Sequence, residues 1–485
     1  MPPIDAPRIA LVPILPEIIL VGTAILIMLI DAARPARDHR PAALLALAGI
    51  AGSAAAALAL WNWGGEATVL GHTVATDRFS VFFRLVILAS AAIATVLATH
   101  YLRRTGEGKP EFFTLLLFST AGMTLLAAAA DLIVAFLALE LLSLSLYVLA
   151  GYSLRRLTSQ EAGMKYFLLG AFSSAFFLYG IALAYGASGT TSLNGIGRAL
   201  SGQTGELGLA LGAGALLLVG FAFKVGAVPF HMWTPDVYQG APTPVTAFMS
   251  AGTKVAGFAA LLRVTASALG PVSWDISPAL WWLAVLSMVG GSLLAIAQTD
   301  VKRMLAYSSI AHAGFVLVGV TAANQAGISG AMFYLAAYAA MILGAFGVVM
   351  LVSGVGEERT SLSSYAGLVR RSPLLAGLMA LFLLSLAGIP PTAGFIAKVL
   401  VFGAAIEAGQ TELVIVGVLA SVVAAFFYIR LIVLAYMQDP EEAGLLSVEP
   451  LPAMAVAVTG VLTLLFGVLP GILLNVLKSA SVLRF

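Results

Sequence analysis

The chain has 485 residues, of which 60% are hydrophobic and only 10% charged, and it contains no cysteine. An average soluble domain carries roughly 25% charged residues, so a water-soluble fold is excluded and one continuous helical membrane domain over residues 1–485 is expected. Without cysteine there are no disulfides, thiolate-held iron–sulfur clusters or catalytic thiols in this chain. A net charge of +2, with no Lys/Arg patch interleaved with aromatics, excludes nucleic acid as a partner.

The first apolar run, about Ile9 to Ile30, is of full spanning length, so it reads as a first helix and not as a signal peptide. Further runs follow at about 41–61, 79–100, 111–129, 131–150, 163–186, 207–238, 243–268, 277–297, 302–320, 328–353, 373–408, 412–437 and 452–476, giving about fourteen spans. The seventh and twelfth are too long for single straight helices. Both contain breakers: Pro229 and Pro235 in the seventh, and Pro390-Pro391 with Gly388 and Gly394 in the twelfth.

Lysine and arginine collect in the loops after odd-numbered spans (Arg34, Arg37, Arg40, Arg103, Arg104, Lys109, Arg155, Arg156, Lys302, Arg303, Arg359, Arg370, Arg371), whereas the other loops hold little beyond Arg78 and Arg198. Cytoplasmic loops carry this excess, so the odd loops are expected to face the cytoplasm and both termini the periplasm. The acidic stretch Asp439 to Glu449 then lies in the cytoplasm. Two interrupted helices five spans apart suggest an internal repeat of opposite topology, spans four to eight against nine to thirteen. Repeats of this kind place ion sites near the midplane at broken helices.

The most informative residues are ionisable groups within apolar spans, each of which costs roughly 2.5–3.5 kcal/mol at a helix centre. Glu140 lies halfway along the fifth span, Lys224 five residues before Pro229 in the seventh, Lys254 near the middle of the eighth, and Lys398 after the break in the twelfth. Held in low dielectric, such groups respond strongly to one another's charge, and Glu140 close to Lys224 is expected to act as a switch for the lysine's proton. The four are therefore expected to form a proton relay. The alternative is that they only staple helices together. Lys165, near the start of the sixth span, is placed to snorkel; His312 could relay a proton or pack; His231 could extend the Lys224 path. Glu111 suits a helix N-terminus, and Arg84, Arg263 and Arg430 read as snorkelling or lipid-contacting. No phosphate-cradling loop, dinucleotide fingerprint, HExxH or nucleophile elbow occurs.

The segment FKVGAVPFHMWTPDVYQGAPTPVTAFMSAGTKVAGF, Phe223 to Phe258, resembles the signature of the antiporter-like subunits of respiratory complex I, which are similar to subunits of multisubunit cation/proton antiporters. Its VYQGAPTP portion resembles the N-type subunit. LALELLSLSLYVLAGY from Leu137, DVKRMLAYSSIAHAGF from Asp300 and LAGIPPTAGFIAKVLVF from Leu386 extend the likeness from about the third span to the end of the thirteenth. The resemblance implies an all-α fold of fourteen transmembrane helices: three leading helices in 1–108, inverted five-helix repeats in 109–270 and 271–440 with broken seventh and twelfth helices, and a last helix in 441–485. By motif it places the family's proton-transfer residues on Glu140, Lys224, Lys254 and Lys398, and its semi-buried lysine on Lys165. Lysine at 398 departs from the M-type, which usually has glutamate there, and a sequence running to Phe485 soon after the fourteenth span is not expected to carry the long lateral helix of the L-type.

The resemblance further implies proton pumping in a bacterial inner membrane. No cofactor is then bound by this chain; NADH, FMN, iron–sulfur clusters and quinone belong to partner subunits. The implied neighbours are the M-type and L-type antiporter-like subunits, small K-type, J-type and A-type subunits, and membrane lipids. A sodium/proton antiporter subunit is the rival reading.

Overall fold

The computed structural model describes residues 11–34, 38–65, 68–202, 206–353, 358–440, 444–446 and 448–483. The first two residues of the expected first span, Arg37 of the odd loops, part of the Asp439–Glu449 stretch and the final Phe485 lie outside the described residues.

Apolar composition and length put thirteen helices across a bilayer among the described residues: Val12–Ala33, Arg40–Asn62, Arg78–Thr105, Glu111–Ala128, Leu132–Ala150, Leu157–Ser188, Leu207–Val225, Thr243–Ala266, Gly270–Ile296, Val301–Thr321, Gln325–Val352, Thr411–Met437 and Pro450–Val468. Two shorter helices, Pro373–Ala387 and Ala393–Glu407, together make the twelfth span. The eighth, tenth and eleventh spans are apolar on all sides and almost wholly buried, so they form the axis of the bundle. The sixth, thirteenth and fourteenth lie at the periphery and turn large apolar side chains such as Phe172, Val422 and Val461 outward. An outward apolar surface of this kind suits hydrocarbon.

Both expected breaks are present. Leu207–Val225 ends on Gly226 and Pro373–Ala387 on Gly388, each glycine in the left-handed region, φ +72° and +87°, which favours glycine and terminates the helix. The cis Val228–Pro229 and Pro390–Pro391 peptides follow, and the chain resumes as Trp233–Gly240 and Ala393–Glu407. A third irregularity was not expected: a π-turn over Met249–Thr253 in the eighth span, immediately before Lys254.

Matched local structures recur at a constant separation of 169 residues. Asp131 and Asp300 each cap the helix that follows by accepting backbone N–H groups, and each pairs in an isolated antiparallel bridge, with Ser192 and Ser361 respectively. A Cβ on Gly122 would meet Leu142 N at 2.6 Å and Ala138 O at 2.8 Å; one on Gly291 would meet Ala311 N at 2.5 Å and Tyr307 O at 2.8 Å. The Asp131 bridge follows the fourth span and the Asp300 bridge the ninth, five spans later.

Two arginines depart from the snorkelling expectation. Arg84 is fully buried and bonds Glu17 at 2.9 Å, and Arg263 is fully buried in a two-point pair with Asp77, both bonds at 2.9 Å. Snorkelling needs a path to water, and here neighbouring spans close it; a carboxylate replaces the water. Arg430 fits the expectation: it is part-buried and donates to Ile296 O and Gln298 O at the end of the ninth span.

Candidate functional site

The broken helices set the positions of the amines. Lys224 occupies the last turn before Gly226 and is 2% exposed. Its Nζ donates to Ser143 Oγ at 2.7 Å and to Tyr166 OH at 3.4 Å, and stands 5.5 Å from the centre of the Tyr166 ring. Glu140, one turn before Ser143 on the fifth span, accepts a short hydrogen bond from Ser174 Oγ of the sixth. The expectation of a close Glu140–Lys224 pair is therefore refined: among the described residues no ion pair within 4.0 Å joins them. Ser143 takes the amine and Ser174 the carboxylate, and both serines line one small cavity with Lys224 and Tyr147.

Lys254 follows the π-turn and donates to Val225 O at 2.9 Å and to Ser309 O. Val225 O is one of the carbonyls that the break deprives of an intrahelical partner, and the C-terminal end of a helix carries partial negative charge. Lys398 does the same at the other break. Its Nζ donates to Ala387 O at 2.7 Å, Leu386 O at 3.2 Å and Ser421 Oγ at 2.6 Å, and lies 4.7 Å from the centre of the Phe315 ring.

Between these two amines stands His312, buried and bonded on both ring nitrogens: Tyr334 OH lies 2.8 Å from Nδ1 and Tyr428 OH 3.2 Å from Nε2. Tyr428 OH also shares a short hydrogen bond with Ser308 Oγ. The tenth span thus presents Ser308, Ser309 and His312 in a row between Lys254 and Lys398. Hydroxyl and imidazole groups both donate and accept, which is what proton hopping requires.

Lys165 lies apart from this row. It is paired with Glu161 at 2.6 Å and with Asp236 at 2.7 Å, and Asp236 also holds Arg303 at 2.6 Å. His231 is in the seventh-span break with Nδ1 buried and unpartnered; among the described residues no hydrogen bond connects it to Lys224. On the same face as Lys165, Glu358 pairs with Lys302 at 2.8 Å and Arg156 at 2.9 Å. Burial alone would raise the Glu358 carboxyl, but the two cations beside it hold it down at about 2.

The hydroxyl partners Ser143, Ser174, Tyr166, Ser421, Tyr334 and Tyr428 escape a search for charges. One signal was available: Ser143 follows Glu140 by three residues and Ser308 precedes His312 by four, spacings that share a helix face. Among the described residues no group of three or more His, Asp or Glu side chains converges as a metal site would need.

Among the described residues, a bundle of fourteen spans with two broken helices, each end capped by a buried lysine, defines a membrane protein of the antiporter-like class. Residues 129–424 match the family described as NADH:quinone oxidoreductase/Mrp antiporter, transmembrane region. The chain is 46% identical over 527 residues to NADH-quinone oxidoreductase subunit N 3 of Streptomyces griseus, covering 98% of this chain and 95% of the relative. It is 45% identical over 469 residues to NADH-quinone oxidoreductase subunit N of Trichlorobacter lovleyi, covering 96% of each. The chain belongs to this family, and within it to the subunit N group. Among solved structures, a chain of respiratory complex I from Thermus thermophilus with bound aureothin superimposes with a TM-score of 0.80 at 38% identity, over 95% of this chain and 98% of that one. A chain of the Mrp complex from Dietzia shares the fold, with a TM-score of 0.85 at 22% identity over 97% of each.

Proposed function

We propose that this chain translocates protons as the N-type membrane-arm subunit of a bacterial NADH:quinone oxidoreductase, with Glu140, Lys224, Lys254, His312 and Lys398 as the transfer groups. The observation that carries the reading is that three amines, each at least 95% buried, hold hydroxyl or carbonyl partners in place of carboxylates. Such amines are poised to exchange a proton when a neighbouring charge changes. NADH oxidation, flavin, iron–sulfur and quinone chemistry fall to partner subunits, which include the M-type, L-type, K-type, J-type and A-type chains. Lys165 acts at the edge, where a shift of Asp236 alters the charge near the seventh-span break; His231 joins the path from the same break.

The odd loops face the cytoplasm and both termini the periplasm, following the lysine and arginine excess. The membrane domain consists of helices in 1–108, inverted repeats in 109–270 and 271–440, and a final helix in 441–485. The bridges at Asp131 and Asp300 support the inversion, because the same motif recurs after an odd number of spans, five.

In this mechanism quinone reduction elsewhere alters the field at Glu140. The charge reaches Lys224 through Ser143 and the small cavity, and the amine passes its proton toward Lys254, then along Ser308, Tyr428 and His312 to Lys398. Each charge moved against 100 mV requires about 2.3 kcal/mol, which the redox reaction supplies. The test is purification of the assembled complex and reconstitution in vesicles. Copurifying flavin and iron–sulfur subunits, with pumping abolished by Lys224→Ala at intact assembly, supports the proposal. Copurification with only small hydrophobic subunits would assign the chain to a sodium/proton antiporter, and undiminished pumping in Lys224→Ala would leave it a scaffold.

A further inference from the structure

One side chain closes the seventh span across its own break. Trp233 opens the second half of the span and is 2% exposed. Its indole N–H donates at 2.9 Å to the carbonyl of Phe223, ten residues earlier in the last turn of the first half. Phe223 immediately precedes Lys224. A carbonyl at a helix end inside the bilayer needs a partner from the protein, and the single donor of the indole supplies it at the end that carries the amine.

The face of the same indole holds the other support of that amine. Trp233 stacks on Tyr166 of the sixth span, with ring centres 4.5 Å apart and planes 11° from parallel, and Tyr147 of the fifth span stands edge-on to Tyr166 at 4.7 Å. The fully buried Tyr166 ring is thus fixed by two aromatic neighbours. It is the ring whose OH and π-face meet Lys224, at 3.4 Å and 5.5 Å, the latter within the range in which an aromatic face attracts an ammonium.

The short helix that begins with Trp233 also carries charge. Asp236, one turn further on, holds Lys165 at 2.7 Å and Arg303 of the tenth span at 2.6 Å. Lys165 is the residue before Tyr166, so two adjacent contacts tie this helix to the sixth span: the Lys165–Asp236 ion pair and the Tyr166–Trp233 stack. Glu161 lies 2.6 Å from Lys165 and is a second partner for it when Asp236 moves away. Eight residues of regular helix move as a unit, so a shift at Asp236 is felt at Trp233.

We infer that Trp233 is a positioning residue for proton transfer, coupling the Lys165–Asp236 pair to the Lys224 amine by holding both the Tyr166 ring and the Phe223 helix end. The coupling rests on the proton-translocation reading and adds to it what sets the geometry of the amine. Trp233 carries no proton itself, because its N–H is committed to Phe223 O. With the indole seated, Lys224 Nζ is directed at Ser143 Oγ, 2.7 Å away, on the side of Glu140. With the indole displaced, Tyr166 and the helix end are both released, and the amine leaves that alignment.

The test uses the assembled complex in vesicles, with translocation expressed per complex and with flavin content and Tm as measures of assembly. Trp233→Phe keeps an aromatic face for Tyr166 and loses the bond to Phe223 O; Trp233→Leu loses both. Translocation should fall about tenfold in Trp233→Leu and by less in Trp233→Phe, a size ordinary for a transfer group moved out of line. Lys165→Ala should lower translocation several-fold in the natural chain; its effect should shrink in the Trp233→Phe background and vanish in Trp233→Leu, because the two act through one side chain. Normal translocation per complex in Trp233→Leu makes the indole a packing group alone and overturns the coupling, as does a Lys165→Ala effect of undiminished size in either background. Should Trp233→Leu not assemble, the Trp233→Phe cycle decides by the same criterion. Lys224→Ala separates the two levels: if it abolishes translocation while the Trp233 cycle is additive, only the positioning role has failed, and if it does not, the underlying functional reading has failed as well.

Discussion

Lys254 reaches from the eighth span to Val225 O, 2.9 Å away, the last carbonyl before the seventh helix breaks. Lys398 holds Ala387 O, the last carbonyl of the first half of the twelfth, at 2.7 Å. The break and the amine therefore complete each other. A helix end inside a membrane leaves carbonyls that no water can satisfy, and a lysine without a counter-ion needs acceptors with negative potential. This mutual satisfaction explains why buried amines and broken helices occur together, and why each amine remains free of a carboxylate that would trap its proton.

Replacing Lys254 or Lys398 by Met should both stop proton transfer and uncap a helix end. The stability loss from an unsatisfied buried carbonyl is about 1–3 kcal/mol, visible as a lower Tm of the purified complex. Lys254→Arg should recover the stability without the pumping, because guanidinium keeps its proton throughout. Equal recovery of both would show that the amine only caps.

Ser143 stands between the two charges that sequence reading would have paired directly. Ser143→Ala should slow pumping by about tenfold while leaving assembly intact, an effect of the size expected for losing one positioned proton-transfer group. Glu140→Gln should do at least as much. Since the two act on one path, the double variant should fall well short of the sum of the single effects in free energy, measured as pumping rates in a double-mutant cycle. Full additivity would place them on separate paths.

The spans, the two breaks and the four main charges were legible because apolar length, Pro/Gly interruption and a charge in hydrocarbon are properties of local sequence. The π-turn before Lys254 was not, since Met249–Thr253 holds no breaker other than Gly252 and the turn reflects how the buried eighth span fits its neighbours. The bonding of His312 to Tyr334 and Tyr428 was equally hidden, because it depends on which spans become neighbours. The same applies to Arg84 and Arg263. Their sequence positions near span ends suggested water or lipid, while their partners Glu17 and Asp77 lie far away in the chain.

The Arg263–Asp77 pair has both side chains at 0% exposure, so removing one partner strands a buried charge. Arg263→Ala or Asp77→Ala should destabilise by about 3–5 kcal/mol and reduce the amount of assembled complex. The complexes that do assemble should pump normally, because neither group touches the lysine row. A pumping defect without an assembly defect would bring this pair into the transfer path.

Glu358 predicts a pH-dependent contribution to stability. Burial opposes its charge, but Lys302 and Arg156 hold its carboxyl at about 2 in the folded chain, against an ordinary value of 4.5. A depressed folded-state value means that the folded chain binds this proton less readily than the unfolded chain, so the stabilisation is fully present above about pH 4.5 and is lost as pH falls toward 2. Glu358→Gln removes the charge at every pH. The Tm difference between the natural complex and Glu358→Gln should therefore be constant from pH 7 to about 5 and shrink below that, as the natural carboxyl takes up its proton in the unfolded state. A gap that stays constant down to pH 3 would mean that the Lys302 and Arg156 contacts do not lower the carboxyl in the folded protein.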